Sequence, residues 1–187
     1  NIESGCYTEE DGRIFKGNWI ENDQDRIFEG TVTHPVQKWS YTGQCSNGIF
    51  QGKGLYENDL LCDLKTYEPE TKSILTSKVT VNSSSKGFFF NGILTDGSQT
   101  ITWPDGKTEI QTIVKGKISE TEIILPNGTR YVGLFKKCTL DGKGIVYDKK
   151  GQWVYNGEIS CGLPHGKGSH FQEGQTHQGE YLWGNCL

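Results

Sequence analysis

Four side chains late in the chain, Cys161, His165, His170 and His177, are of types that ligate zinc or form a thiol nucleophile with its base. A reactive thiolate needs an electropositive, partly exposed setting and an oriented base, and nothing in this stretch supplies one. His165 falls in a turn ahead of a Gly-x-Gly, His177 takes a position that other segments fill with an aromatic, and His170 falls on a strand. Among the 23 acidic residues no local signature singles out a pair for glycoside hydrolysis. The glycine-rich Asp141-Gly142-Lys143-Gly144-Ile145-Val146 lacks the long glycine spacing and following helix of a phosphate loop. The residues therefore predict no enzyme, no metal and no cofactor.

The slots that absorb these residues belong to a repeat. Tyr155 to Phe171 opens aromatic-x-Gly-x-apolar with Tyr155, Gly157 and Ile159, which strand alternation puts on one face. A turn centred on Cys161-Gly162-Leu163-Pro164 follows, then Gly166 and Gly168. Glycine packs nothing in a strand, so glycines at fixed offsets beside aromatics leave room for a ring to lie flat on backbone. Tyr41 to Tyr56 repeats the pattern with Tyr41, Gly43, Gly48, Gly52 and Gly54. Tyr131 to Val146 repeats it with Tyr131, Gly133, Phe135, Gly142 and Gly144, and His177-Gln178-Gly179-Glu180-Tyr181 begins another copy. The starts at Tyr131, Tyr155 and His177 are 24 and 22 residues apart, the fixed period of a repeat architecture.

These segments resemble MORN (membrane occupation and recognition nexus) repeats. The lead-ins Pro104-Asp105-Gly106 and Pro126-Asn127-Gly128 are similar to the inter-repeat turn of that family. The likeness covers residues 41–56 and about 100–187. It implies an all-β protein, an elongated single-layer antiparallel sheet of stacked hairpins, used as a scaffold or interaction surface without catalytic residues of its own.

Residues 1–40 read as degenerate repeats forming an N-terminal cap, and 41–187 as the repeats proper, in one continuous repeat domain. Phe15, Phe28 and Tyr41 start segments 13 residues apart, with turns expected at Glu21 to Asp25 and His34-Pro35. Residues 57–86 are strongly divergent: Ile74 to Val81 reads as a strand by β-branched content, and Asn82 to Lys86 as a polar loop. Phe90-Asn91-Gly92 opens a hairpin whose turn is Asp96-Gly97. Ile113 to Ile118 pairs with Glu122 to Leu125, with Gly116 in the strand glycine slot.

The chain has 19 basic and 23 acidic residues and a net charge of −4, which speaks against a nucleic-acid partner. No apolar run approaches the roughly 18 residues of a transmembrane helix. The chain has no methionine and begins with Asn1, which fits a cleaved secretory signal. The cysteines Cys6, Cys45, Cys62, Cys138, Cys161 and Cys186 are even in number without a C-x-x-C pair, which fits disulfides. Cys138 and Cys161 fall at the tips of adjacent hairpins and are expected to pair. Asn82-Ser83-Ser84 and Asn127-Gly128-Thr129 are sequons for N-linked glycans at Asn82 and Asn127. Secretion is the expectation; the other reading is the cytoplasmic, membrane- or cytoskeleton-associated scaffold usual for the family.

Trp19, Trp39, Trp103, Trp153 and Trp183 could line a carbohydrate-binding or hydrolysing surface, but stacking on the glycine slots is the favoured reading. The last half-unit and the first strands are expected to leave open sheet edges. Head-to-tail joining would make the chain its own partner, as the subunit of an extracellular filament, with Cys6 and Cys186 able to lock the joint. The glycans are checked by intact mass. Secreted material should exceed the bare sequence by one or two glycans, and a mass equal to the sequence less its bridge hydrogens excludes them.

Overall fold

The computed structural model describes residues 2–21, 24–136 and 138–187. Among them there is no helix, and every regular element is a strand of one open antiparallel sheet. The first strands are β1 (Ile2–Thr8), β2 (Ile14–Glu21), β3 (Arg26–His34), β4 (Trp39–Ser46) and β5 (Ile49–Glu68). Next come β6 (Ser73–Phe90), β7 (Ile93–Thr102), β8 (Thr108–Val114), β9 (Lys117–Ile124) and β10 (Arg130–Phe135). The last are β11 (Gly142–Tyr147), β12 (Trp153–Ser160), β13 (Leu163–Gln172), β14 (Gln175–Leu182) and β15 (Asn185–Cys186). Each strand pairs with its neighbours in sequence, as stacked hairpins require. The chain forms two compact units, one of Asn1–Leu60, Asn82–Thr100 and Thr112–Ile118, the other of Leu61–Val81, Ile101–Gln111 and Ser119–Leu187.

In the first unit Gly5, Gly17, Gly30, Gly43 and Gly54 stand opposite one another on five successive strands, β1 to β5. In the second, Gly133, Gly144, Gly157, Gly168 and Gly179 do the same on β10 to β14. The 13-residue interval near the N-terminus is therefore one strand with its turn, and the longer period of the later copies is two. Residues 1–40 contribute three members to the same row as Gly43 and Gly54, so they continue the repeat structurally.

Aromatic rings cover the glycines. Phe28 lies against Gly17 and Gly30, Tyr41 against Gly43 and Gly54, Phe135 against Gly144, and Tyr155 against Gly157 and Gly168. Buried Phe15, Phe28, Val32, Tyr41, Cys45 and Phe89 form the core of the first unit. The second unit's core gathers Ile123, Tyr131, Phe135, Val146, Tyr155, Ile159 and Tyr181. The tryptophans take a different place from the one expected. Trp19, Trp39, Trp153 and Trp183 pack on other rings and Trp103 lies under Lys107, while tyrosine and phenylalanine fill the glycine slots.

The two glycines of each Gly-x-Gly do different work. Gly54 and Gly168 stand in the rows, whereas Gly52 and Gly166 have φ of 68° and 79°, conformations that favour glycine. Both sit where the register slips, at Gly43/Gln44 and at Gly157/Ile159, so each forms a β-bulge. The copy at Tyr131 lacks the bulge, and its Gly142 pairs regularly with Phe135.

Three turn expectations are corrected. The hairpin after β6 turns at Asn91-Gly92, while Asp96-Gly97 lies inside β7, where Gly97 packs against Gly87. Lys115-Gly116 is likewise the two-residue turn between β8 and β9, not a strand slot. Positive φ at both residues of each pair fits a type I′ turn. The turn at Cys161-Gly162 is of the same kind and shorter than expected. Asn82 to Lys86 runs within β6 rather than in a loop, because β5 and β6 form one long hairpin closed at residues 69–72. Of the turn expected over 21–25, Asn22 and Asp23 lie outside the described residues, as does Asn1. Pro104-Asp105-Gly106 and Pro126-Asn127-Gly128 turn as expected, with Gly106 N–H donating to Trp103 O and Gly128 N–H to Leu125 O.

A methyl group tests the close approach. At Gly168 a Cβ would run into the Tyr155 ring, whereas at Gly5 it would meet nothing within 4 Å. We predict that Gly168→Ala lowers unfolding free energy by about 1–3 kcal/mol, the range for overpacking. Gly5→Ala should be neutral or stabilise by up to about 1 kcal/mol. Urea unfolding of both variants checks the pair.

Candidate interaction surface

The structure separates the residues that could have formed one metal or nucleophile site. Cys161 lies in the turn after β12, where its backbone N–H donates to Asp141 Oδ1 at 2.8 Å. His165 packs on Trp183 with ring centroids 4.4 Å apart. His170 and His177 are brought together, directly opposite on β13 and β14. Among the described residues, no group of three or more His, Cys, Asp or Glu is placed to hold a metal.

Cys138 is bridged to Cys62, not to Cys161, with Cα atoms 5.9 Å apart. The second half of β5 carries Cys62 to the loop between β10 and β11, a contact at long sequence separation that hairpin adjacency does not reveal. Cys6, Cys45, Cys161 and Cys186 are unpaired, Cys6 and Cys186 exposed and Cys45 buried. Both sequon asparagines are exposed: Asn82 on β6, and Asn127 in its turn, where its Oδ1 accepts from Thr129 N–H at 2.9 Å.

Because the rings lie on one face of a glycine row, the other face is left low. In the second unit Gly157, Gly168 and Gly179 help to line a trough of about 460 Å³, with Lys143, Lys167 and Glu180 among its walls. On the ring face of the first unit, where β1 has no ring over it, a groove of about 270 Å³ runs past Gly5, bounded by Tyr7, Trp19 and Arg26. The Arg26 guanidinium lies 4.1 Å from the Trp19 ring centroid. A cleft of about 410 Å³ in the same unit is lined by Trp39, Phe50, Tyr56, Phe89 and Gly92. Phe88 and Phe90 point away from buried Phe89 and are more than half exposed. These shallow features suit contact with another chain better than enclosure of a small substrate.

Sequence reading missed a buried polar group in the second unit. Lys107 lies 3.7 Å over the Trp103 ring, and burial lowers its pKa. Beside it, Glu109 Oε1 accepts from Gln111 Nε2 at 2.7 Å and from Cys138 N–H at 3.4 Å. Glu109 thus anchors the loop that carries the disulfide. Lys107, Glu109 and Gln111 are polar at alternate positions, and all three are buried.

The rings over the glycines are tied to the strands they cover. Tyr41 Oη donates to Gln44 O at 3.1 Å, and Tyr155 Oη to Glu158 O at 2.9 Å. Burial pushes both phenols up to about 12, and the thiol of Cys45 also to about 12. Their ordinary values are 10.0 and 9.0. Each group has its folded pKa raised, so its contribution to stability is fully present below the unfolded value and is lost as pH rises through the folded one. The melting temperature should therefore hold to about pH 9 and fall towards pH 12. Tyr155→Phe should fall less steeply over that window, and equal slopes would reject the assignment. Comparison of the sequence with protein-family models and with curated proteins finds no match.

Proposed function

We propose that the chain is a non-enzymatic structural and interaction module of a divergent MORN type, secreted, and able to join head to tail into a filament. The carrying observation is the state of the row ends. Inside the rows the glycines are covered by rings, but nothing lies within 4 Å of a Cβ built at Gly5 on β1. In the second unit the row reaches Gly179 on β14, of which β15 pairs only with Tyr181 and Leu182. Among the described residues, β1 and the first part of β14 thus present outer backbone edges.

Setting Gly5 of one copy opposite Gly179 of another would extend the glycine row across the joint. In that register Cys6 and Cys186 fall on opposite faces, because Cys6 is adjacent to Gly5 and Cys186 Sγ lies over Gly179. Backbone pairing rather than a Cys6–Cys186 bridge then holds the joint. The Cys62–Cys138 disulfide and the exposed sequons support secretion. The second reading, a cytoplasmic membrane-associated scaffold, draws on the four unpaired cysteines.

Sedimentation velocity and electron microscopy of the native protein test assembly, with thiol titration in denaturant testing the compartment. Filaments or a growing series of oligomers, abolished by Gly5→Glu in a folded protein, are the expected result. Four free thiols are expected in material from the native source. A monomer at all concentrations rejects self-assembly, and six free thiols reject secretion.

A further inference from the structure

We propose that His170 and His177 form a chelating site for a divalent first-row transition ion, with Zn²⁺ as the probe and Tyr181 as the orienting group. The two imidazoles stand on adjacent strands in direct register, and their rings lie 4.9 Å apart between centroids at 21°. Two nitrogen ligands at the usual zinc distance of about 2.0–2.1 Å are themselves roughly 3.3 Å apart on a tetrahedral ion. Turning the His177 ring about its side-chain bonds would close that separation while His170 stays against Tyr181. Imidazole is a good donor for zinc, copper and nickel.

Histidine ligands are usually held by a partner on the other ring nitrogen. His170 has that partner, since its Nδ1 lies 2.6 Å from Tyr181 Oη. Tyr181 is buried and packs edge-on against Tyr155, so its hydroxyl is a fixed point. In the metal-binding tautomer Nδ1–H donates to Tyr181 Oη, which leaves the Nε2 lone pair of His170 for the ion. His177 is exposed and His170 half-buried, so an ion reaches the pair from solvent. Gly179, two residues from His177 and on the same face, has no side chain of its own, and Cys186 Sγ lies over it. Water completes the coordination.

Calorimetric titration of Zn²⁺ into the native chain is the test, run alongside His177→Asn, His170→Asn, Tyr181→Phe and Cys186→Ser. We expect one ion per chain in the wild type. Tyr181→Phe should weaken binding roughly 10- to 100-fold, as loss of an orienting group does, and each histidine change should weaken it more. Cys186→Ser should leave the affinity within about twofold. His177 is exposed, so its variant is expected to fold, and circular dichroism confirms this. Long-range imidazole NMR gives a second readout, in which Zn²⁺ shifts the signals of both rings together. Affinity unchanged in His177→Asn, or lost in Cys186→Ser, overturns the site; the latter assigns the ion to a thiol.

Discussion

Everything in this sheet depends on how closely two glycine backbones can approach under an aromatic ring. Where Gly157 faces Gly168, a single methyl on either would collide with the opposing backbone or with the Tyr155 ring. A glycine inside a strand costs roughly 0.5–1 kcal/mol relative to alanine. Ten positions in two rows bear that cost. What offsets it is ring burial, at about 1.5–3 kcal/mol for a large apolar side chain. One ring spans two facing glycines, a cost of about 1–2 kcal/mol that its burial offsets, and it can lie flat only where both facing residues lack a Cβ. That requirement makes the pattern repeat from strand to strand.

The same arrangement fixes the two faces of the sheet. A row glycine has its ring on one side and bare backbone on the other, so in the second unit the core and the trough are two consequences of one choice. The bulge at Gly52 lets Tyr41 reach a carbonyl across its own hairpin, Tyr41 Oη lying 3.3 Å from Gln51 O, while beside the bulge at Gly166 Tyr155 Oη bonds Glu158 O on its own strand. Extra residues in one strand bend it and increase its twist. The copy at Tyr131 has no bulge, and there Phe135, which has no hydroxyl to place, covers the row while Tyr131 Oη reaches Gly162 O at 2.9 Å. The presence of a bulge thus follows the kind of ring that lies over the row.

The fold was readable because its constraint is written in residue types: glycine pairs and aromatics at fixed offsets admit few other structures. Turn positions were less legible. Asn91-Gly92 and Asp96-Gly97 are both strong hairpin signals, and only the facing of Gly97 with Gly87 decides between them. The 57–86 segment carries no glycine at all, so a row-based reading had nothing to follow there. Its strands are unusually long and much of their apolar surface is exposed, Leu61, Ile74 and Leu75 among it. Alternation there does not mark a buried face. Of the candidate site, the positions of Asn82 and Asn127 on the surface were legible, while the cysteine pairing was not. The facing of His170 with His177 was implicit in the repeat offsets, since Gly168 and Gly179 set the register two residues away.

The second half of β5 shows what replaces the glycine rows when they are absent. It meets later parts of its unit through the Cys62–Cys138 bridge, a Lys65–Asp141 ion pair at 3.8 Å and the Tyr67–Trp183 stack at 4.3 Å. The ion pair is partly exposed and is worth at most about 1 kcal/mol. A stacked aromatic pair adds about 0.5–1.5 kcal/mol beyond its burial. The bridge closes a loop spanning 76 residues, for which chain entropy gives about 4 kcal/mol. It is the largest of the three, so this strand is held chiefly by a covalent tie rather than by packing. Asp141 also accepts from the Cys161 backbone N–H, which fixes the turn where Cys161 sits and leaves its thiol out of the bridge. The disulfide therefore does not join neighbouring repeats, which their glycine rows already hold. It ties down the one long segment that the rows do not reach.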